Sequence, residues 1–349
     1  MRSLLLLLVF ITFDVASEVP ERSYSAEWQG RFVTLENGGG IRVVVAPDEG
    51  GELTGFSVFF DGSWHELLYR AMDYSDQPGW RGKAPLLWPA TGISLIKVGQ
   101  KNSYQLGDKQ YEMPFHGFAR KQKWKVGPTS WSTKSASITL RLADTDETHR
   151  FYPFAFELVV EYRLQADRLS MLYTVTADAA NDAEMPFSIG NHLTFNAPLI
   201  EGSKAAQMQF ENSLTELLDK DASKAFAGAT RPSPFQGRHR LSDLPKRGSV
   251  SLGGQQNPAE LSIFDPSGLK LQLRHHNSSA PSQPAIQFNL WADTGAGFFS
   301  PEPWVGTQNS LNTGMGVVSL EPGKSWWWQI DIIPVLNTPV NGPGPKEMK

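Results

Sequence analysis

Cysteine is absent from the 349 residues. That excludes a disulfide framework, thiol catalysis, a thiolate metal site and a lipid-modified cysteine, so stability must come from a core. Excess positive charge is absent too. Against 36 Asp and Glu stand 32 Lys and Arg, a formal net charge of −4, and no cationic field recommends nucleic acid or an anionic membrane as a partner. There is no GxxxxGK[ST] phosphate loop, no GxSxG nucleophile elbow and no HExxH zinc helix, so the common nucleotide, serine-hydrolase and zinc-protease chemistries lose support. No internal repeat, Ser/Pro linker or composition step divides the chain. What is plentiful is hydrophobic residues at 40%, with Trp 11, Tyr 8 and Phe 20. That load can fill a β core or line a sugar cleft.

The one long apolar run is N-terminal. Arg2 is followed by an apolar stretch from Leu4 to Phe13 and then by Val15, Ala16 and Ser17. This three-part layout is that of a secretory signal peptide, too short for a comfortable permanent anchor. Cleavage near Ser17 is expected, giving an exported periplasmic or extracellular protein with no lasting membrane insertion. The rest reads as one domain, residues 24–335, and a Pro- and Gly-rich tail, 336–349, expected to fray.

Alternation at period two dominates the domain. Phe32–Leu35, the turn ENGGG and Ile41–Val45 predict a hairpin. In FAFELVVEYRL, Phe154, Phe156, Leu158, Val160, Tyr162 and Leu164 share one face. Ile138 to Leu142, Leu169 to Val175 and Leu269 to Leu273 repeat the pattern, and the fold class is all-β, a large antiparallel sandwich or barrel. One exception is SLTELLDKDASKAF, residues 213–226, where Ser213 as N-cap and Glu216 as its capping-box partner predict a short helix. Alternation also puts Trp326 and Trp328 together in the core with Trp327 opposite. Adjacent His275 and His276 point to opposite faces of a strand, which disfavours a shared metal and leaves two partly exposed histidines.

On residue grounds alone, three polar side chains carry open alternatives. His116, between Phe115 and Gly117, is a backbone-bonded turn histidine or a catalyst. His192, in GNHLTFN, is a core-edge histidine or a proton donor. Glu302, between Pro301 and Pro303, cannot be mid-helix and is a solvated loop carboxylate or a base.

Three segments, FHGFARKQKW (residues 115–124), MPFSIGNHLTFN (185–196) and FFSPEPWVG (298–306), resemble the aldose 1-epimerase, or galactose mutarotase-like, family in order and spacing. APLLWPATG, YPFAFELVVEYRL, IQFNLWAD and LEPGKSWWWQIDI agree between and around them, so the resemblance covers most of the mature chain. It implies a β-supersandwich and cofactor-free, metal-free interconversion of the α and β anomers of a small-molecule aldose. By the same resemblance His116 orients the sugar, His192 is the acid at the ring oxygen and Glu302 is the base on the anomeric hydroxyl. Arg120 and Trp304 are candidate substrate contacts, Arg120 alternatively a structural ion-pair partner and Trp304 alternatively packing. Trp88 is expected in wall or core. Where relatives often have Arg after LWPATG this chain has Ile93, which favours an unphosphorylated sugar. Asp219, Asp221, Asp243 and Asp265 are candidates for a substrate-binding aspartate. The competing readings are a non-catalytic carbohydrate-binding protein, a hexose-6-phosphate mutarotase, and a lyase or glycosidase, the last needing a second carboxylate.

Overall fold

The computed structural model describes residues 23–70, 82–97, 99–221, 225–254, 257–279 and 285–335; the expected export segment and the tail lie outside them. The described chain is almost entirely β, and its strand ladders are antiparallel. A five-stranded sheet runs from Tyr24–Gln29 to Ser63–Glu66 and contains the expected hairpin as Phe32–Asn37 paired with Ile41–Ala46. A nine-stranded sheet is centred on Lys270–Asn277, Ser325–Val335, Leu169–Ala177 and Phe156–Leu164. An eight-stranded sheet includes Val250–Gly253, Ile286–Asp293, Phe298–Val305 and Ile189–Asn191 in neighbouring positions.

The two large sheets pack face to face because each strand sends alternate residues inward. His275 meets Phe288 with ring centroids 4.8 Å apart and Phe210 meets Phe299 at 5.9 Å, while Phe187, from the separate short strand Met185–Phe187, meets Trp326 at 5.6 Å. Trp326 and Trp328 are buried and Trp327 is partly exposed, as alternation predicts. Trp88 belongs to the core, inside an aromatic cluster with Phe118, Tyr152 and Phe156.

Two expectations are corrected. Residues 213–226 are not a helix: Glu216–Lys220 and Phe226–Pro232 form an antiparallel pair within the eight-stranded sheet. The capping pattern is a local signal, and it is overridden by cross-strand pairing of Leu217 with Leu252, which buries both leucines. His275 is fully buried rather than partly exposed. The inner face of its strand is core, and Trp328 Nε1 donates to His275 Nδ1 at 3.1 Å, giving the imidazole a partner without water. His276 is on the opposite face, half-buried, as expected.

Phe288 lies in the middle of the sheet interface with no exposure. Phe288→Ala is expected to cost about 3–5 kcal/mol by opening a cavity there, to be read as a lowered midpoint in denaturant unfolding at unchanged slope.

Candidate active site

One face of the eight-stranded sheet is core; the other is the wall of a cleft of about 730 Å³. Along Ile286–Asp293, Phe288 and Leu290 point into the core while Asn289 and Trp291 line the cleft. On the neighbouring strand Phe298–Val305, Phe299 points into the core while Glu302 and Trp304 line the cleft. Register then builds a polar row. Ser251 lies opposite Asn289, and Asn289 opposite Glu302, so three adjacent strands place their side chains side by side.

Glu302 is in mid-strand and 1% exposed, not on a solvated loop. Prolines on either side are tolerated for a reason that register makes visible. Gly306 N–H donates toward Ala285, on the side of Ile286–Asp293. By alternation the backbone N positions of residues 301 and 303 face the other side, where the ladder is interrupted between Asn191 and Phe195. Missing N–H groups there cost no ladder bond. That same interruption holds His192, whose backbone turns to Pro85 instead (N–H to O, 3.0 Å).

His192 Nε2 is 3.6 Å from Glu302 Oε1. The two oxygens of Glu302 each have a fixed donor: Asn289 Nδ2 to Oε1 at 3.0 Å and Trp304 Nε1 to Oε2 at 3.2 Å. Trp304 fits because Gly190 is opposite it; a Cβ on Gly190 would be 2.5 Å from the indole Cδ1. Burial raises the Glu302 carboxyl to about 8, against the pull of both donors and of the Lys220 charge. Burial pushes His192 the opposite way, down to about 3. Its Nδ1 lies 3.3 Å from Thr194 Oγ1, which in turn donates to His192 O at 2.9 Å. With Ser300 Oγ, 2.8 Å away, donating to it, the hydroxyl that donates to His192 O also accepts from Nδ1–H, and in that arrangement Nε2 presents a lone pair to Glu302.

His116 is the backbone-bonded turn histidine, and it also faces the cleft. It is a turn residue with φ +66°, its backbone N–H donates to Gly92 O at 2.9 Å, and its Nδ1 accepts from Gly92 N–H at 2.9 Å. The neutral ring therefore carries its proton on Nε2, and it also lines the cleft with ring centroids 5.7 Å from His192 and 6.0 Å from Trp304. Burial, then the charges of His192 and Arg120, hold it well below the usual histidine range. Gly117 makes this turn possible, since a Cβ at its φ of +71° would run into Trp88 O.

Residues 31–235, more than half of the chain, match the aldose 1-epimerase family. The chain belongs to that family. It is 28% identical over 285 residues to protein LacX, plasmid, of Lactococcus lactis subsp. lactis, covering 76% of this chain and 85% of that one. Among solved structures it is similar to a galactose mutarotase related enzyme from Lactobacillus acidophilus (TM-score 0.71, 24% identity, 88% of this chain and 98% of that one). A galactose mutarotase-like protein from Clostridium acetobutylicum gives TM-score 0.71 at 19% identity, covering 90% and 99%. These likenesses show a galactose mutarotase-like fold.

In this aldose 1-epimerase family member the cleft brings together all five residues singled out in the sequence: His116, Arg120, His192, Glu302 and Trp304. Arg120 is on a short 3-10 turn, with Nη2 donating to Phe115 O at 3.2 Å. Among the described residues no carboxylate is within 4.0 Å of it, but the charge of the buried Glu52 acts on it, so Arg120 lines the cleft and also has an electrostatic tie to the core side. Ile93 also lines the cleft, where it supplies an apolar wall. None of Asp219, Asp221, Asp243 or Asp265 does; Asp265 instead binds Leu199 N–H and Ser203 Oγ in a surface turn. Sequence reasoning missed Lys220, Ser249, Asn289 and Trp291. The alternation of FNLW could have placed Asn289 beside Glu302, but only with the strand register known.

A carboxyl raised from 4.5 to about 8 makes stability depend on pH. Between those values the folded protein holds a proton that the unfolded chain releases, so Glu302 favours folding at acid pH and that contribution is lost as pH rises toward 8. Glu302→Gln lacks this loss. The unfolding free energy of the variant minus that of wild type, read from denaturant unfolding, is expected to grow from pH 5 to pH 8, on the order of 1 kcal/mol per pH unit.

Proposed function

We propose that the protein is an aldose 1-epimerase that interconverts the α and β anomers of a free, unphosphorylated aldose. The observation that carries this reading is the contact of His192 Nε2 with Glu302 Oε1 across 3.6 Å in a cleft. Anomer exchange moves a proton off O1 and a proton onto O5, two oxygens on the same carbon. An acid and a base a few ångströms apart can serve both at once. Rotation about C1–C2 presents the other carbonyl face, and reclosure returns both protons.

The two burial-driven shifts fit this proton economy. At neutral pH the pair holds one proton, on Glu302 as carboxylic acid with His192 neutral, or on His192 with Glu302 ionised. Both forms have the same net charge. The second has the base and the acid in their working states, Glu302 to take the O1 proton and His192 to give one to O5. Asn289 and Trp304 hydrogen bonds favour that ionised carboxylate. His116 presents Nε2–H, a donor suited to a sugar hydroxyl, and Phe115 and Ile93 supply apolar surface for a ring face.

An unphosphorylated substrate is supported by the cleft's modest charge. Lys220 is bonded to Ser249 and Asn289, and Ile93 is apolar, so a phosphate dianion would find Arg120 and little else. Export, proposed from the Arg2 to Ser17 layout, would put the enzyme among free sugars. Intact-mass analysis of the exported protein should show a chain beginning near Glu18; a retained Met1 would overturn this.

Polarimetry of fresh α-glucose and α-galactose should show exchange well above the spontaneous rate, with glucose 6-phosphate slower. Sugar binding without exchange would instead favour a non-catalytic binding protein. Glu302→Gln should lower kcat by about 10²–10⁴-fold, His192→Asn likewise, and His116→Asn should raise KM as well as lower kcat. The singly protonated pair is lost when Glu302 gives up its proton, so kcat/KM should be level through neutrality and fall above about pH 8.

A further inference from the structure

Among the described residues Lys220 is the one lysine on the cleft wall, and its ammonium is hydrogen-bonded there. Its Nζ donates to Ser249 O at 3.0 Å, to Ser249 Oγ at 3.1 Å and to Asn289 Oδ1 at 3.5 Å. Ser251 Oγ donates to the same Asn289 Oδ1 at 3.0 Å. An ammonium has only donors, so the amide group facing it must be the oxygen. Asn289, 4% exposed, then has one orientation, and its NH₂ faces Glu302 Oε1 at 3.0 Å. The mirror orientation would set two acceptors against each other at Glu302 and two donors against each other at Lys220.

We infer that Lys220 is a positioning residue of the active site: through Asn289, and with Ser251, it fixes the amide that holds Glu302 in its proton-accepting form. This rests on the reading of Glu302 as the base. Lys220 touches neither the carboxylate nor, in this role, the sugar. It acts by a donor chain and by its charge, which opposes the effect of burial on Glu302. Charged and titratable groups around Glu302 are His192 at 3.6 Å, His116 beyond Trp304, Lys220 behind Asn289, and Arg120, whose charge reaches both histidines. Lys220 is the cation on the Glu302 side of this group.

The test reads the carboxyl group directly. Infrared difference spectra, each protein minus the same background carrying Glu302→Gln, follow the protonated carboxyl band of Glu302 from pH 5 to pH 10. Lys220→Met is expected to move its midpoint up by about one pH unit, the usual scale for removing a nearby opposite charge. Lys220→Arg should restore it, and Ser251→Ala should give a smaller upward shift. In mutarotation, Lys220→Met should lower kcat about tenfold with little change in KM and carry the alkaline limb upward with the infrared midpoint. An unmoved midpoint in Lys220→Met overturns the inference, and so does a raised KM with an unmoved midpoint, which would make Lys220 a substrate contact. A shifted midpoint in a protein without mutarotase activity would support the donor chain and defeat the proposed function, so the two failures are distinguishable.

Discussion

The constraint on which the site depends is the burial of an ionisable carboxylate in the middle of a β-strand. Glu302 is almost without solvent. A carboxylate there survives only if its oxygens receive donors that cannot turn away. Trp304 supplies an indole N–H, a donor and nothing else, from two residues along the same strand. Asn289 supplies an amide whose orientation is forced by Lys220 and Ser251. Gly190 follows from the first requirement, because only glycine leaves space for the indole, and the row of Ser251, Asn289 and Glu302 follows from the second.

The histidine side is built by a different means. Here the strand partner of Phe298–Val305 breaks between Asn191 and Phe195, and the freed backbone brings His192 to the carboxylate. Prolines at 301 and 303 fit that break, since they have no N–H to offer a missing neighbour. His116 comes from a distant turn and is locked by Gly92 on both backbone and ring. Both imidazoles are buried and neutral, one with a lone pair toward Glu302 and the other with an N–H available. The three groups thus divide donor and acceptor roles within the fold itself, which is preorganisation in the electrostatic sense.

Similarity to solved structures at 19–24% identity goes with retention of the whole sandwich. A core of this size tolerates exchange among apolar residues of suitable volume. Chemistry is less forgiving, because it depends on a few polar groups whose geometry is set across strands.

Much of this protein was legible in its sequence, because side-chain alternation is a local record of which face a strand buries. FELVVEYRL, the Phe32 hairpin and the paired Trp326 and Trp328 could be read that way, and motif order pointed to His116, His192 and Glu302 together. Residues 213–226 mark where local reading failed: Ser213 and Glu216 have the spacing of a capping box, but burial of Leu217 against Leu252 outweighs it, and with the strand comes Lys220 in the cleft. His275 likewise needed Trp328 as a partner before it could be buried. Periodicity decided an all-β sandwich or barrel, and the resemblance to a family supplied the sandwich and the site motifs. Tertiary structure alone decided that Asn289 and Lys220 serve Glu302, because their association depends on the register of three strands, and register is set by long-range pairing that no short stretch of chain contains.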